Sequence, residues 1–214
     1  MNDLDFFTKV LVIIKRFQPK ATLKSKNKMW QHRLLGKIFP KYMDFSTTIG
    51  WTIAIARKHV PNWNVLAHEG VHILQAKRQT RIIHSLLYVM PQILGVLGIV
   101  LPLILWNSWF LLFLLFALPI PAYFRMMKEL EAYQLSVVLR QWRYGKVEDK
   151  HYDYYVSNFT GLNYYFMWPF KEYIRDRLEA AVFRAQVWGP INEYERQIYD
   201  AMKEHGMLYK KVTI

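Results

Sequence analysis

Val65-Leu66-Ala67-His68-Glu69-Gly70-Val71-His72-Ile73-Leu74 is the stretch on which the reading of this chain turns. On an α-helix, positions four apart differ by about 40° around the axis and one turn along it, so the two imidazoles aim at one point. Neutral imidazole is a good zinc ligand, and two of them leave room for a third ligand and a water. Glu69, next to the first histidine, reaches that water and can take its proton as it attacks a carbonyl. With 7 His in 214 residues, the pattern arises by chance only about 0.01 times in a chain of this composition. The flanking residues are uncharged, so the helix is expected to be buried around its polar triplet. Two imidazoles and a carboxylate in such a place are costly without a metal or hydrogen-bonding partners. The bland alternative is hydrogen bonding alone.

Upstream, β-branched and aromatic residues gather between 45 and 56 (Thr47, Thr48, Ile49, Trp51, Thr52, Ile53, Ile55). That reads as one or two strands turning near Gly50. Pro61 and Asn62 break the pattern, and the metal helix is expected to start near Asn64 as its N-cap.

Downstream, 43 consecutive residues, 82–124, carry no Asp, Glu, Lys or Arg. One crossing of hydrocarbon takes about 20 apolar residues, so the length suits a transmembrane helical hairpin, split into 84–105 and 109–124 around Asn107–Ser108. Lys77, Arg78 and Arg81 precede it and Arg125 and Lys128 follow it, which puts both ends on the cytoplasmic side, with Trp106 and Trp109 at the far interface. Pro91, Pro102, Pro119 and Pro121 keep open a hairpin buried in protein instead. Further amphipathic helices are expected over 4–18, 128–142, 170–188 and 191–204, with a Tyr- and Trp-rich stretch at 151–170. The fold class is therefore mainly α with a small β element (α+β). Residues 1–44 form a basic segment, and 45–214 the domain that holds the metal helix, interrupted by 82–124.

Composition narrows the chemistry. There is no cysteine, which excludes disulfides and thiolate metal sites, so any metal rests on His, Asp or Glu. The net charge of +13 is concentrated early, with 16 Lys and Arg against 4 Asp and Glu in residues 1–125. Such a block suits anionic lipid headgroups or a solvated basic face, and no nucleic-acid-binding signature accompanies it. His84, His151 and His205 lack ligand spacing and are assigned no metal.

The stretch 65–74 resembles the signature of the zincin metallopeptidases. In the gluzincin branch the third ligand is a downstream Glu. In membrane members such as the HtpX heat-shock protease and the type I CAAX prenyl protease, that Glu opens a Glu-x-x-Ala-Asp pattern, with transmembrane helices between the two motifs. Here Glu129-Leu130-Glu131-Ala132-Tyr133 follows the apolar segment. The resemblance implies Zn2+ held by His68, His72 and Glu129, with Glu69 as catalytic base. Tyr133 stands where those proteases have Asp, the residue that would orient a ligand histidine. Glu131, about 160° round the helix from Glu129 so that both cannot face one metal, and Glu179 are the rival ligands. The resemblance also implies that the strand at 49–56 holds substrate backbone by β-addition. The run Tyr164-Tyr165-Phe166-Met167-Trp168-Pro169-Phe170 could supply an oxyanion-stabilising Tyr, although aromatic runs usually pack a core or a membrane interface. The chain is also similar to small peptidases encoded by bacteriophages. The expected function is a membrane-embedded zinc endopeptidase acting on protein or peptide substrates at the cytoplasmic face. The alternatives are a structural or interaction protein that keeps the fold, such as a virion component in a larger assembly, and a basic adaptor whose hairpin only anchors it.

Overall fold

The computed structural model describes residues 3–38, 40–118, 120–161 and 166–209. It is mainly helical with one three-stranded sheet, in agreement with the α+β expectation. Helix α1 (Asp3–Phe17) buries Phe6, Phe7, Val10, Ile13 and Ile14. That spacing makes one apolar stripe, which packs on the metal helix rather than lying free. Phe6 meets Trp63 edge to face at 5.0 Å.

Strand β1 (Thr22–Ser25) pairs in parallel with β3 (Thr52–Ile55), and β2 (Thr47–Ile49) pairs antiparallel with β3 on its other side. Residues 1–44 thus contribute both a core helix and a strand. Gly50 turns the chain between β2 and β3 at φ +60°, a conformation that glycine adopts without steric cost. Because β3 is paired on both sides, the strand expected to receive substrate has no free edge. The edge beside the metal helix is β2.

Helix α2 (Trp30–Ile38) precedes the sheet hairpin, and α3 (Trp63–Gln79) carries the histidine motif. Its N-cap is Asn62, two residues earlier than expected: the Asn62 side chain accepts from the backbone N–H groups of Asn64 and Val65 at 3.1 and 3.2 Å. Asn64 lies inside the first turn, and its amide donates to the Ser136 carbonyl at 3.2 Å, stapling α3 to α6. Helix α6 (Tyr123–Tyr144) runs longer at both ends than its expected 128–142 and stops at Gly145. The aromatic stretch opens with another helix, α7 (Asp149–Thr160). Helices α8 (Lys171–Trp188) and α9 (Glu193–Glu204) close the bundle, α8 against α6 and α9 against α1.

The apolar segment folds back on itself, but not as two long helices. Helix α4 (Arg81–Val89) ends before Pro91, which lacks the N–H that would continue it. A 3-10 turn (Gln92–Val96) leads into α5 (Leu97–Leu105), and after Trp106 and Asn107 the return leg is a 3-10 stretch (Ser108–Ala117). Among the described residues no single helix is long and apolar enough to cross a membrane, and α4 meets the following leg at 78°. The hairpin is therefore bent and made of short pieces, with Gly95 and Gly98 close against Ala117 and Leu114 of the return leg.

Candidate metal centre

His68 and His72 lie one turn apart on the buried face of α3, and Glu129 is presented to them from the second turn of α6. All three are almost fully buried. His68 Nε2 stands 3.5 Å from Glu129 Oε2, and His72 Nε2 stands 3.5 Å from Glu129 Oε1. One ligand atom from each of the three lies within 4.8 Å of the others, and the group could hold a metal ion. The spacing fits: donors that share a tetrahedral ion at about 2.05 Å each sit roughly 3.3 Å apart. Glu129 Oε2 is buried, stands 3.5 Å from His68 Nε2 and makes no hydrogen bond of ordinary length.

Electrostatics couples the trio. Burial alone would raise the Glu129 pKa, but the nearby imidazoles, with the Tyr88 hydroxyl, bring it down to about 2. Burial alone would lower that of His68, and hydrogen bonding and charge from Glu129 raise it instead.

The ligands are steadied from outside. His72 Nδ1 meets Gln75 Oε1 at 3.0 Å, and the Gln75 amide donates onward to the Lys128 carbonyl and to Glu131, each at 2.9 Å. Tyr88, from α4, donates to Glu129 Oε1 at 2.5 Å. The place left open by the Asp-to-Tyr departure is filled differently: the Tyr133 ring lies edge-on to His68 with centroids 4.6 Å apart, and Ser136, nearly one turn further along α6, brings its hydroxyl to 3.4 Å from His68 Nδ1. Of these partners, Tyr88, Gln75 and Ser136 are not singled out by the sequence. Gln75 alone carried a local signal, three residues from His72 on the same helix.

Glu69 is buried beside the trio and accepts from the Thr48 hydroxyl of β2 at 2.7 Å. The edge strand therefore touches the residue expected to act as base. The neighbouring Thr47 is held by Lys26, whose buried ammonium donates to the Tyr42 and Phe45 carbonyls and to Thr47 Oγ1 at 2.7–2.8 Å. Burial pushes the Lys26 pKa down to about 8. One cation of the early basic block is thus an internal strut, not a headgroup contact.

The rivals are engaged elsewhere. Glu131 pairs with Arg78 at 2.5 Å and accepts from Gln75, and Glu179 pairs with Arg175 at 2.9 Å on the surface of α8. His84 meets the Lys128 ammonium at 3.1 Å, His151 sits at the rim of the cleft, and the His205 ring packs on Phe6. The cations that flank the apolar segment are also used internally. Arg125 donates to the Tyr88 carbonyl at 2.8 Å and to Gln92 at 3.0 Å, and Lys77 donates to the Phe17 carbonyl at 2.7 Å. In the aromatic run, Tyr164 and Tyr165 lie outside the described residues, while Met167 is buried in the core.

His68 and Glu69 open onto a cleft of about 560 Å³. Its walls come from the approach to β2 (Phe45, Ser46), from the turn before α3 (Lys58, His59), from α6 (Tyr133, Ser136, Arg140) and from α7 (Tyr154, Tyr155).

No family model matches the chain, and no curated protein or solved structure matches it either.

Proposed function

We propose that this protein is a zinc-dependent endopeptidase working at a membrane. The observation that carries the reading is the convergence of His68 and His72 on Glu129, with the carboxylate of Glu69 beside them at the floor of an open cleft. Two imidazoles and one carboxylate form a donor set that suits zinc and leave a position for water or substrate. Bound zinc would supply Lewis acidity, polarising a carbonyl and lowering the pKa of water.

The rest falls to the chain. Glu69 takes a proton from the water as its oxygen attacks the peptide carbonyl, then hands it to the departing amide nitrogen, so C–N cleavage leaves a carboxylic acid and an amine, which exchange the remaining proton to become carboxylate and ammonium. Thr48, donating to Glu69, fixes the carboxylate's direction. Gln75 and Ser136 fix the ring planes of His72 and His68. The free edge of β2 offers backbone groups to an extended peptide laid along the cleft.

The hairpin supports the membrane half of the reading. Leu103, Ile104, Leu105, Trp106 and Trp109 are exposed at and near its tip, with Trp106 at 92%. A continuous apolar surface of this kind suits lipid. The base, where Arg125 and Gln92 close the hairpin, lies on the same side as the metal pocket, to which Tyr88 connects it. We assign that side to the cytoplasm, facing anionic headgroups.

The test uses the purified full chain in detergent. Wild type is expected to carry stoichiometric zinc and to cleave members of a peptide pool, with both lost on chelation. Glu69→Gln should keep zinc and lose about 10²–10⁴-fold in turnover. Zinc bound with no cleavage of any pool member would sink the enzymatic reading and leave a structural metal site.

A further inference from the structure

The cleft that leaves the metal pocket is positively charged along one wall. Tyr133, Ser136 and Arg140 follow Glu129 at four, seven and eleven residues along α6, so all share one face of the helix. Tyr133 and Ser136 contact His68, and Arg140 lines the same cleft one turn beyond. Its guanidinium lies 5.3 Å from the Tyr144 ring centroid, and Tyr155 lines the same cleft. No carboxylate accompanies it among the described residues. The other two cations of the cleft differ. Arg143 is paired with Asp3 at 3.3 Å, and Lys58 with Asp44 at 3.6 Å. Burial lowers the pKa of both His59 and His151, and a neighbouring cation lowers each further: Lys58 for the first, Arg140 for the second.

We infer that Arg140 is the anchor of an anionic subsite, selecting peptides with a carboxylate a fixed distance from the scissile bond. This rests on the endopeptidase reading. Eleven residues of helix advance about 16 Å. An extended peptide covers about 3.3 Å per residue, and an arginine side chain shortens the remaining gap, so the carboxylate belongs three to five residues from the bond cut. The Tyr144 ring lies beside the guanidinium without neutralising it, leaving its fork free for a carboxylate. An acidic side chain and a free C-terminal carboxylate present the same chemistry at that distance.

The experiment is a binding measurement on zinc-loaded full-length protein, so turnover is not needed. Peptide hydroxamates anchor on the metal and carry Glu, Ala or Lys at the third, fourth or fifth residue away, and a second set ends in a free or an amidated C-terminus at those positions. Wild type is expected to bind the best-placed Glu peptide about tenfold tighter than its Ala counterpart, with the margin shrinking as salt is raised. Arg140→Ala should remove the margin, Arg140→Lys should keep part of it, and Arg140→Glu should shift the preference to Lys. A margin confined to the free C-terminus names the terminal carboxylate as the ligand; one confined to Glu names the side chain. Equal binding of all peptides by wild type, or a Glu preference that survives Arg140→Glu, overturns the subsite. Bound zinc with no hydroxamate binding removes the cleft as a peptide site and the subsite with it. Failure to load zinc at all is a different result and defeats the underlying endopeptidase reading.

Discussion

The metal pocket and the apolar hairpin depart from ordinary globular packing in opposite directions. In the pocket a carboxylate is 1% exposed; on the hairpin a tryptophan is 92% exposed. Burying charge costs several kcal/mol unless it is compensated, and large apolar patches facing water forgo the main favourable contribution to folding. On the proposed function, a cation would release that free energy in one region and a low-dielectric medium in the other. They are also mechanically joined, since Tyr88 of α4 donates to Glu129 and Arg125 of α6 grips the hairpin base. The shared lesson is that function here is concentrated where the burial pattern is inverted.

Three experiments would break or sharpen this contrast. The largest effect is expected from Glu129→Ala set beside Glu131→Ala. Loss of Glu129 should weaken zinc binding by more than the ~10–100-fold that a supporting partner carries. Loss of Glu131 should stay within that range, because its carboxylate serves Gln75 and Arg78 rather than the pocket. Competition against a chromogenic chelator reads both, and the reverse ranking would assign the third ligand to Glu131.

Next comes the hairpin. Ile104→Asp near the tip should cost about 3 kcal/mol of transfer into lipid, roughly a hundredfold in vesicle partition, with zinc affinity unchanged. Co-sedimentation with anionic phosphatidylserine vesicles measures the first and metal titration the second. Unchanged partition would mean that the exposed surface meets something other than lipid.

The smallest change belongs to Ser136→Ala. At 3.4 Å its hydroxyl is a weak partner for His68, which also packs on Tyr133. Zinc affinity should fall tenfold or less, and Gln75→Ala, which removes a 3.0 Å contact to His72, should cost more. Equal losses would indicate that the Tyr133 ring contributes little to holding His68.

What could be read from the residues follows the range of the interactions involved. The His68–His72 pair is legible because four residues of helix fix its geometry by themselves. The strands around Gly50 are legible too, since β-branched alternation and a turn residue act locally. Glu129 could be favoured over Glu131 only through resemblance and chain order, because which face of α6 meets α3 is decided by packing across the core. Lys26 was unreadable: its acceptors are main-chain carbonyls 16 and 19 residues away, invisible in any side-chain pattern. Hydropathy marked the hairpin but not its breaks. It reports composition along the chain, whereas the bend after Val89 comes from a missing N–H at Pro91.

Gly70, in the middle of the histidine motif, has a consequence for the order in which this chain matures on the ribosome. A β-carbon there would come within 2.0 Å of the Tyr194 hydroxyl and 2.9 Å of Ile14, because α9 and α1 both press on the back of α3. Tyr194 also donates to the Ala67 carbonyl at 3.1 Å, so α9 completes the rear support of the motif. The greasy hairpin thus emerges about seventy residues before that support exists. The back of the histidine helix is therefore braced only after the apolar segment has already been made.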